Sequence, residues 1–285
     1  HIMHNATPAA APTSDEIDSA ALDVVNHLSG FTIYYHGRPL TTPGGAEICH
    51  PDERVLEHLV REWSLSRRWN WRSLSAAAAF GLQLDELERD PAAATDDIRA
   101  GLRSDPILQR LGSGSPAGAP VASAWPTEQG HFFLLAAASL FGILKRLNDL
   151  LQERGYGSLE QAEREPERFA AWMLGFQQGL PSEKRAALLL LNEAHGGGVL
   201  AALLLTLGRI SPSEYAMALC AIHSPAVSVA ARPARSARRV EPCLPDWREP
   251  QRAFAAVWTQ ATALQEYLSC FSNTADAPPD IGRLI

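Results

Sequence analysis

The chain has 285 residues, a net charge of −7, 46% apolar residues and 20% charged residues. That length and composition suit a folded protein with a sizeable core, in one large domain or two small ones. The acidic balance argues against a general nucleic-acid binder, and no run of about 20 apolar residues argues for a membrane span.

Residues 1–12 read as a tag and a disordered Ala/Pro-rich tail, with His1–Met3 resembling a cloning remnant. Thr13 and Glu16 have capping-box spacing, and Ile17, Ala21, Val24, Val25 and Leu28 then fall on one helical face, so a helix is predicted up to Gly30. Phe31, Ile33 and Tyr35 alternate with Thr32 and Tyr34, which predicts a strand. His36-Gly37 turns the chain, and Pro39 predicts that this strand lies at an edge or ends there. Pro43-Gly44-Gly45 turns it again, with Ala46–Cys49 as a short return strand. Pro51, Asp52 and Glu53 open a helix with Val55, Leu56, Leu59, Val60 and Trp63 on one face.

The run Gly37-Arg38-Pro39-Leu40, Thr42-Pro43, Gly45, Pro51 and Glu62-Trp63 resembles the opening of the ATP synthase assembly chaperones that bind the α subunit of the catalytic head. Gly197–Leu200 and Gly208–Glu214 are similar to a late helix pair of that family. His36 stands where the family has Asp, and the family's central motif and its late acidic, Trp-containing segment are not found here. The resemblance implies a strand near the predicted first helix, no catalysis, and another polypeptide as partner.

Beyond Trp63, Arg67, Arg68 and Arg72 are interleaved with Trp69 and Trp71. Such a cluster suits either stacking of single-stranded bases or, as favoured here, two indoles at a helix junction covered by arginines. Helices are predicted over 73–88, over 95–104 and from Pro106. Residues 112–127 are Gly/Ser/Ala/Pro-rich and form a linker or surface loop between an N-terminal unit (13–111) and a C-terminal helical domain (128–272). Thr127 opens the longest helix, with Phe132, Phe133, Ala136, Leu140, Ile143, Leu144, Leu147, Leu150 and Leu151 as its inner stripe. Shorter helices start at Ser158, Pro166 and Ser182. Lys184–Leu207 is apolar nearly all round, and its three glycines at 196–198 imply a break or a close helix approach. Ser211-Pro212-Ser213-Glu214 is a capping box. Residues 224–245 are Pro/Arg-rich, and Arg232, Arg235, Arg238 and Arg239 make a basic cluster suited to an acidic partner or to a solvated loop. The last helix, 250–271, places Phe254, Val257, Trp258, Ala261, Leu264, Tyr267 and Leu268 inward, and 273–285 is a frayed tail.

No catalytic constellation is complete. His195 followed by three glycines copies a lipase oxyanion string, but no strand precedes it and no nucleophile elbow follows. Cys49-His50 with Cys220 and His223 would hold zinc only if all four converged, and Glu128/His131 and Glu193/His195 lack an orienting partner. The four scattered cysteines fit a reducing compartment, here the cytoplasm. The reading is therefore a mainly α fold, a helical bundle-like body with a small N-terminal β-hairpin. It is a non-enzymatic protein-binding protein without cofactor, metal, nucleic acid or membrane span, an assembly chaperone by resemblance. The alternatives are a helical partner-binding protein of another kind, effector-neutralising or secretion-associated, and a small metal- or His-dependent enzyme. Partner contacts fall to Arg38, Trp69, Trp71, Arg232, Arg235, Arg238 and Arg239.

Overall fold

A computed structural model describes residues 16–90, 92–108, 127–196, 198–223, 239–243 and 245–271. Its N-terminal part is a small antiparallel sheet. Strands β1 (Leu22–His27) and β2 (Gly30–Tyr35) pair in full register from Leu22↔Tyr35 to His27↔Gly30. The other edge of β2 pairs with two short strands, β3 (Arg38–Pro39) and β4 (Cys49–His50).

The helix expected before Gly30 is therefore corrected to a strand. Only one 3-10 turn, Ser19–Ala21, survives, capped by Asp18 accepting from the Ala20 N–H. Apolar residues at 17, 21, 24, 25 and 28 fit a helical face, but adjacent β-branched Val24 and Val25 favour the pleated ribbon once β2 is available to pair. A strand is what the family resemblance implied at this position. Of the two outcomes expected from Pro39, β2 ends short of it at Tyr35 and is not an edge: Pro39 sits in β3, where its missing N–H does no harm. The ribbon is continued by Leu40 N–H to Ile33 O (2.8 Å), Ile48 N–H to Leu40 O (3.0 Å) and Ile33 N–H to Ile48 O (3.1 Å). Ile33, Leu40 and Ile48 are buried beneath it.

Helix α1 (Glu53–Ser66) is capped by Asp52 and packs Val55, Leu56, Leu59 and Trp63 into the core. It ends at Arg67, whose φ of 53° is left-handed. Helix α2 (Ala76–Leu82) is buried at every residue and runs into a π turn, Gln83–Leu87, closed by Glu88 N–H to Gln83 O at 2.9 Å. Helix α3 (Thr95–Arg103) completes this part.

Helix α4 (Thr127–Glu153) buries Ala136, Leu140, Ile143, Leu147, Leu150 and Leu151. Helices α5 (Leu159–Arg164), α6 (Pro166–Gln178) and α7 (Ser182–His195) follow. The expected interruption falls at Gly196 (φ +59°) and Gly198 (φ +91°), after which α8 (Val199–Thr206) is buried throughout. Helix α9 (Pro212–Ile222) has the predicted capping box, with both reciprocal bonds formed between Ser211 and Glu214. Helix α10 (Pro250–Ser269) lies along α9, as does α4. Apolar residues from both sides of 109–126 share one buried cluster, from Ile17 to Phe271.

Gly198 shows the close approach as well as the break. A Cβ there would stand 2.5 Å from an oxygen of Asp105. That buried carboxylate accepts from Ile107 N–H (2.9 Å) and, across 95 residues, from Leu200 N–H (3.0 Å). It supplies α8 with the cap its own sequence lacks.

Candidate protein-binding surface

The motif residues of the hairpin are scaffold. Thr42 Oγ1 donates to Asp85 Oδ1 (2.5 Å), and Gly44 N–H donates to Asp85 Oδ2 (2.9 Å). Gly44 is needed there, since a Cβ would fall 2.3 Å from the Asp85 carboxyl carbon. The hairpin tip is thus pinned to the π turn. Glu62 reaches forward to accept from the N–H groups of Ala76 (2.8 Å) and Ala77 (3.1 Å), capping α2. Burial raises its carboxyl pKa, opposed by those two bonds. Trp63 is fully buried and donates Nε1–H to Trp69 O at 2.9 Å.

Of the contact residues named from sequence, the four described, Arg38, Trp69, Trp71 and Arg239, do not form one patch. Trp69 is buried, 6% exposed, edge-on to Trp63 at 5.2 Å. Trp71 is half-buried, 5.4 Å from Trp63 and packed on Gly81. Arg239 lies among three carboxylates: Nη1 reaches Asp97 (2.8 Å) and Glu193 (2.7 Å), and Nη2 reaches Glu86 (2.9 Å). Its backbone N–H also donates to Glu193 (2.9 Å). Residues 239–243 form a strap that continues through Glu241 N–H to Arg72 O (2.7 Å) and Cys243 N–H to Ala194 O (3.0 Å). Arg38 is exposed in β3, while Arg232, Arg235 and Arg238 lie outside the described residues.

The groups weighed for chemistry are engaged elsewhere. His195 is fully buried, with Nδ1 3.1 Å from Tyr215 OH and Nε2 2.8 Å from Gln260 Oε1. Burial pushes its pKa down to about 4, so the ring is neutral near pH 7. Glu193 faces Arg239. Cys220 is buried with Sγ toward Pro250 O, His223 stacks on Trp247 at 4.5 Å, and His50 Nδ1 takes the Asp52 N–H at 3.0 Å. Among the described residues no three His, Cys, Asp or Glu are grouped to hold a metal ion. Glu128 has no described side chain.

What remains is an uncharged, partly apolar outer surface. Residues 132–144 of α4 and 253–265 of α10 include no Asp, Glu, Lys or Arg. Both helices pack on α9, and Phe132 meets Phe254 edge-on at 6.4 Å. Leu134 (53% exposed), Leu135 (61%), Phe141 (54%) and Trp258 (46%) reach solvent from them. Trp258, expected inside, is a correction. On α10 the buried stripe is Ala253, Val257, Ala261, Leu264, Tyr267 and Leu268, and Trp258 sits about 100° around the helix from Val257. Leu134 and Phe141 are two turns apart on one side of α4. The signal was present in the apolar run 132–138, which is long enough to wrap the helix and cannot all face inward. Covering a half-exposed Leu, Phe or Trp contributes about 1 kcal/mol each, so a few together make a usable contact.

No family model matches the sequence, and no curated protein matches it. Two solved structures share the fold. A point mutant of Atp12p from P. denitrificans superposes with a TM-score of 0.54 at 12% identity, over 90% of this chain and 97% of that one. Atu1473 from Agrobacterium tumefaciens, a candidate chaperone, superposes with a TM-score of 0.51 at 18% identity, over 87% and 84% respectively. Both superpositions span most of this chain, so what it shares with these two proteins is the fold. Among the described residues no helix is long and apolar enough to cross a membrane.

Proposed function

We propose that this protein is a non-enzymatic chaperone that holds an unassembled polypeptide against the uncharged outer faces of α4 and α10. The observation that carries the reading is four large apolar side chains, Leu134, Leu135, Phe141 and Trp258, left half-exposed on two adjoining helices. The shared fold and the hairpin motif at residues 37–63 support an assembly factor for the ATP synthase head, with the α subunit of that head as client. Four free cysteines support a reducing, cytoplasmic setting.

The test is capture of purified, unassembled α subunit, together with suppression of its aggregation. Phe141→Asp and Trp258→Asp each place a charge on the surface without entering the core, and each is expected to weaken capture about tenfold. Failure of the unaltered protein to enrich the α subunit from native lysate, under conditions that retain other clients, removes the ATP synthase assignment. Undiminished capture by both variants removes the surface.

A further inference from the structure

The free edge of the sheet is self-complementary. Both backbone groups of Ile33 point away from β1, since its N–H donates to Ile48 O (3.1 Å) and its C=O accepts from Leu40 N–H (2.8 Å). Val24 lies opposite Ile33, so in an antiparallel ladder its N–H and C=O point to the outer edge, and two residues on so do those of Asn26. His36 N–H donating to Ala21 O (3.1 Å) fixes the same phase independently. Among the described residues nothing pairs with that outer edge. β1 carries no Pro, no Lys and no bulge, three of the devices that ordinarily blunt an edge strand.

We propose that β1 pairs antiparallel with β1 of a second copy about a twofold axis at Val25, joining two sheets into one. The phase of the outward groups allows Val24 to bond Asn26 of the partner subunit, with Val25 facing the partner's Val25. In that register Asp23 stands opposite the partner's His27, twice by symmetry. These are non-bonded ladder positions, where side chains approach most closely. Asp23 and His27 are exposed and share a sheet face, on which the His27 ring stacks against Tyr34 at 5.8 Å, so carboxylate and imidazole of the two copies take facing positions. Sliding by two residues in either direction, the nearest shifts that keep the bonding phase, sets one of them against the partner's Val25 and loses the match. Leu28, fully exposed at the β1–β2 turn, then comes opposite the partner's Leu22. The occupant is thus a second copy, chosen by the match of an acceptor carboxylate with a donor imidazole, and the inference is independent of the client reading above.

Sedimentation equilibrium of the intact chain tests it. The mass should rise from 30.9 kDa toward twice that value between about 10 and about 500 µM, because an interface this small binds weakly. Asp23→Lys should weaken association about tenfold, and Asp23→Lys with His27→Glu should restore it. Asn26→Pro, which removes an outward donor but no β1–β2 bond, should abolish it. Circular dichroism and the melting midpoint of each variant establish that the monomer is folded. Should Asn26→Pro fail to fold, the charge-swapped pair decides. A mass of 30.9 kDa at every concentration overturns the proposal. So does association indifferent to Asp23→Lys, or a charge swap that restores nothing.

Discussion

Two buried titratable side chains, Asp105 and His195, pull the stability of this protein in opposite directions with pH. Burial lifts the Asp105 carboxyl to about 6, against the backbone N–H bonds that hold it down. Its stabilisation is fully present below the unfolded value near 3.8 and is lost as pH rises through about 6. His195 is depressed to about 4 from 6.5, so its contribution is present above 6.5 and is lost as pH falls toward 4. Each is worth about 3 kcal/mol at most. Between pH 6.5 and 4, His195→Gln should therefore remove acid sensitivity, and Asp105→Asn should increase it. Urea denaturation at pH 7 and pH 4.5 reads both; equal acid losses in the two variants would contradict the assignment. The Glu62 cap is a separate contribution, and Glu62→Ala should cost about 1–2 kcal/mol at pH 7, read by the same denaturation. The sequence reading named Glu62 from its motif and Asp105 not at all. Glu62 caps a helix starting 14 residues on, whereas Asp105 reaches across 95 residues to a helix start that carries no sign of needing it.

At the scale of elements, the strap at 239–243 is the contact on which a single residue decides most. Arg239 neutralises Glu86, Asp97 and Glu193 together, and without it three carboxylates are left facing one another. Arg239→Ala should cost about 3 kcal/mol at neutral pH and be partly rescued by salt, which screens the repulsion. Thermal melts at low and high ionic strength test this, and a salt-independent loss would point to packing of Val240 instead. The helix starts at Pro166, Ser182 and Pro212 were legible because their signals are local: a proline at or just before the first helical residue, joined at Ser211 by a full capping box. The β1 strand was not, since its apolar spacing satisfies both a helix and a strand, and the choice rests with β2. The strap was illegible for a different reason: its Arg is 153 residues from Glu86, and charge runs on loops resemble one another whether docked or solvated.

For the whole molecule, the division between core and contact surface was the hardest thing to read. A helix apolar all round looks the same in sequence whether it is enclosed, as α8 is, or half uncovered, as α4 is. Only the neighbours distinguish them. Phe141→Asp and Trp258→Asp should leave the melting temperature within about 2 °C of the parent, since both rings are half in water already. Leu140→Asp, one residue from Phe141 but buried, should unfold the protein. Differential scanning calorimetry separates the two classes, and a large loss on Phe141→Asp would mean that its ring belongs to the core.

The turn at Gln83–Leu87 winds wider than its neighbours, and neighbouring carboxylates on it hold different clients within the fold: Asp85 the hairpin, Glu86 the strap. Ordinary winding from Ala76 onward would accommodate one residue fewer before Glu88. Excising a single residue from this turn would leave a better helix by local standards, yet would swing both acids off their targets together. Two distant parts of the chain thus share one mechanical linchpin, and neither is expected to come loose alone when it is pulled.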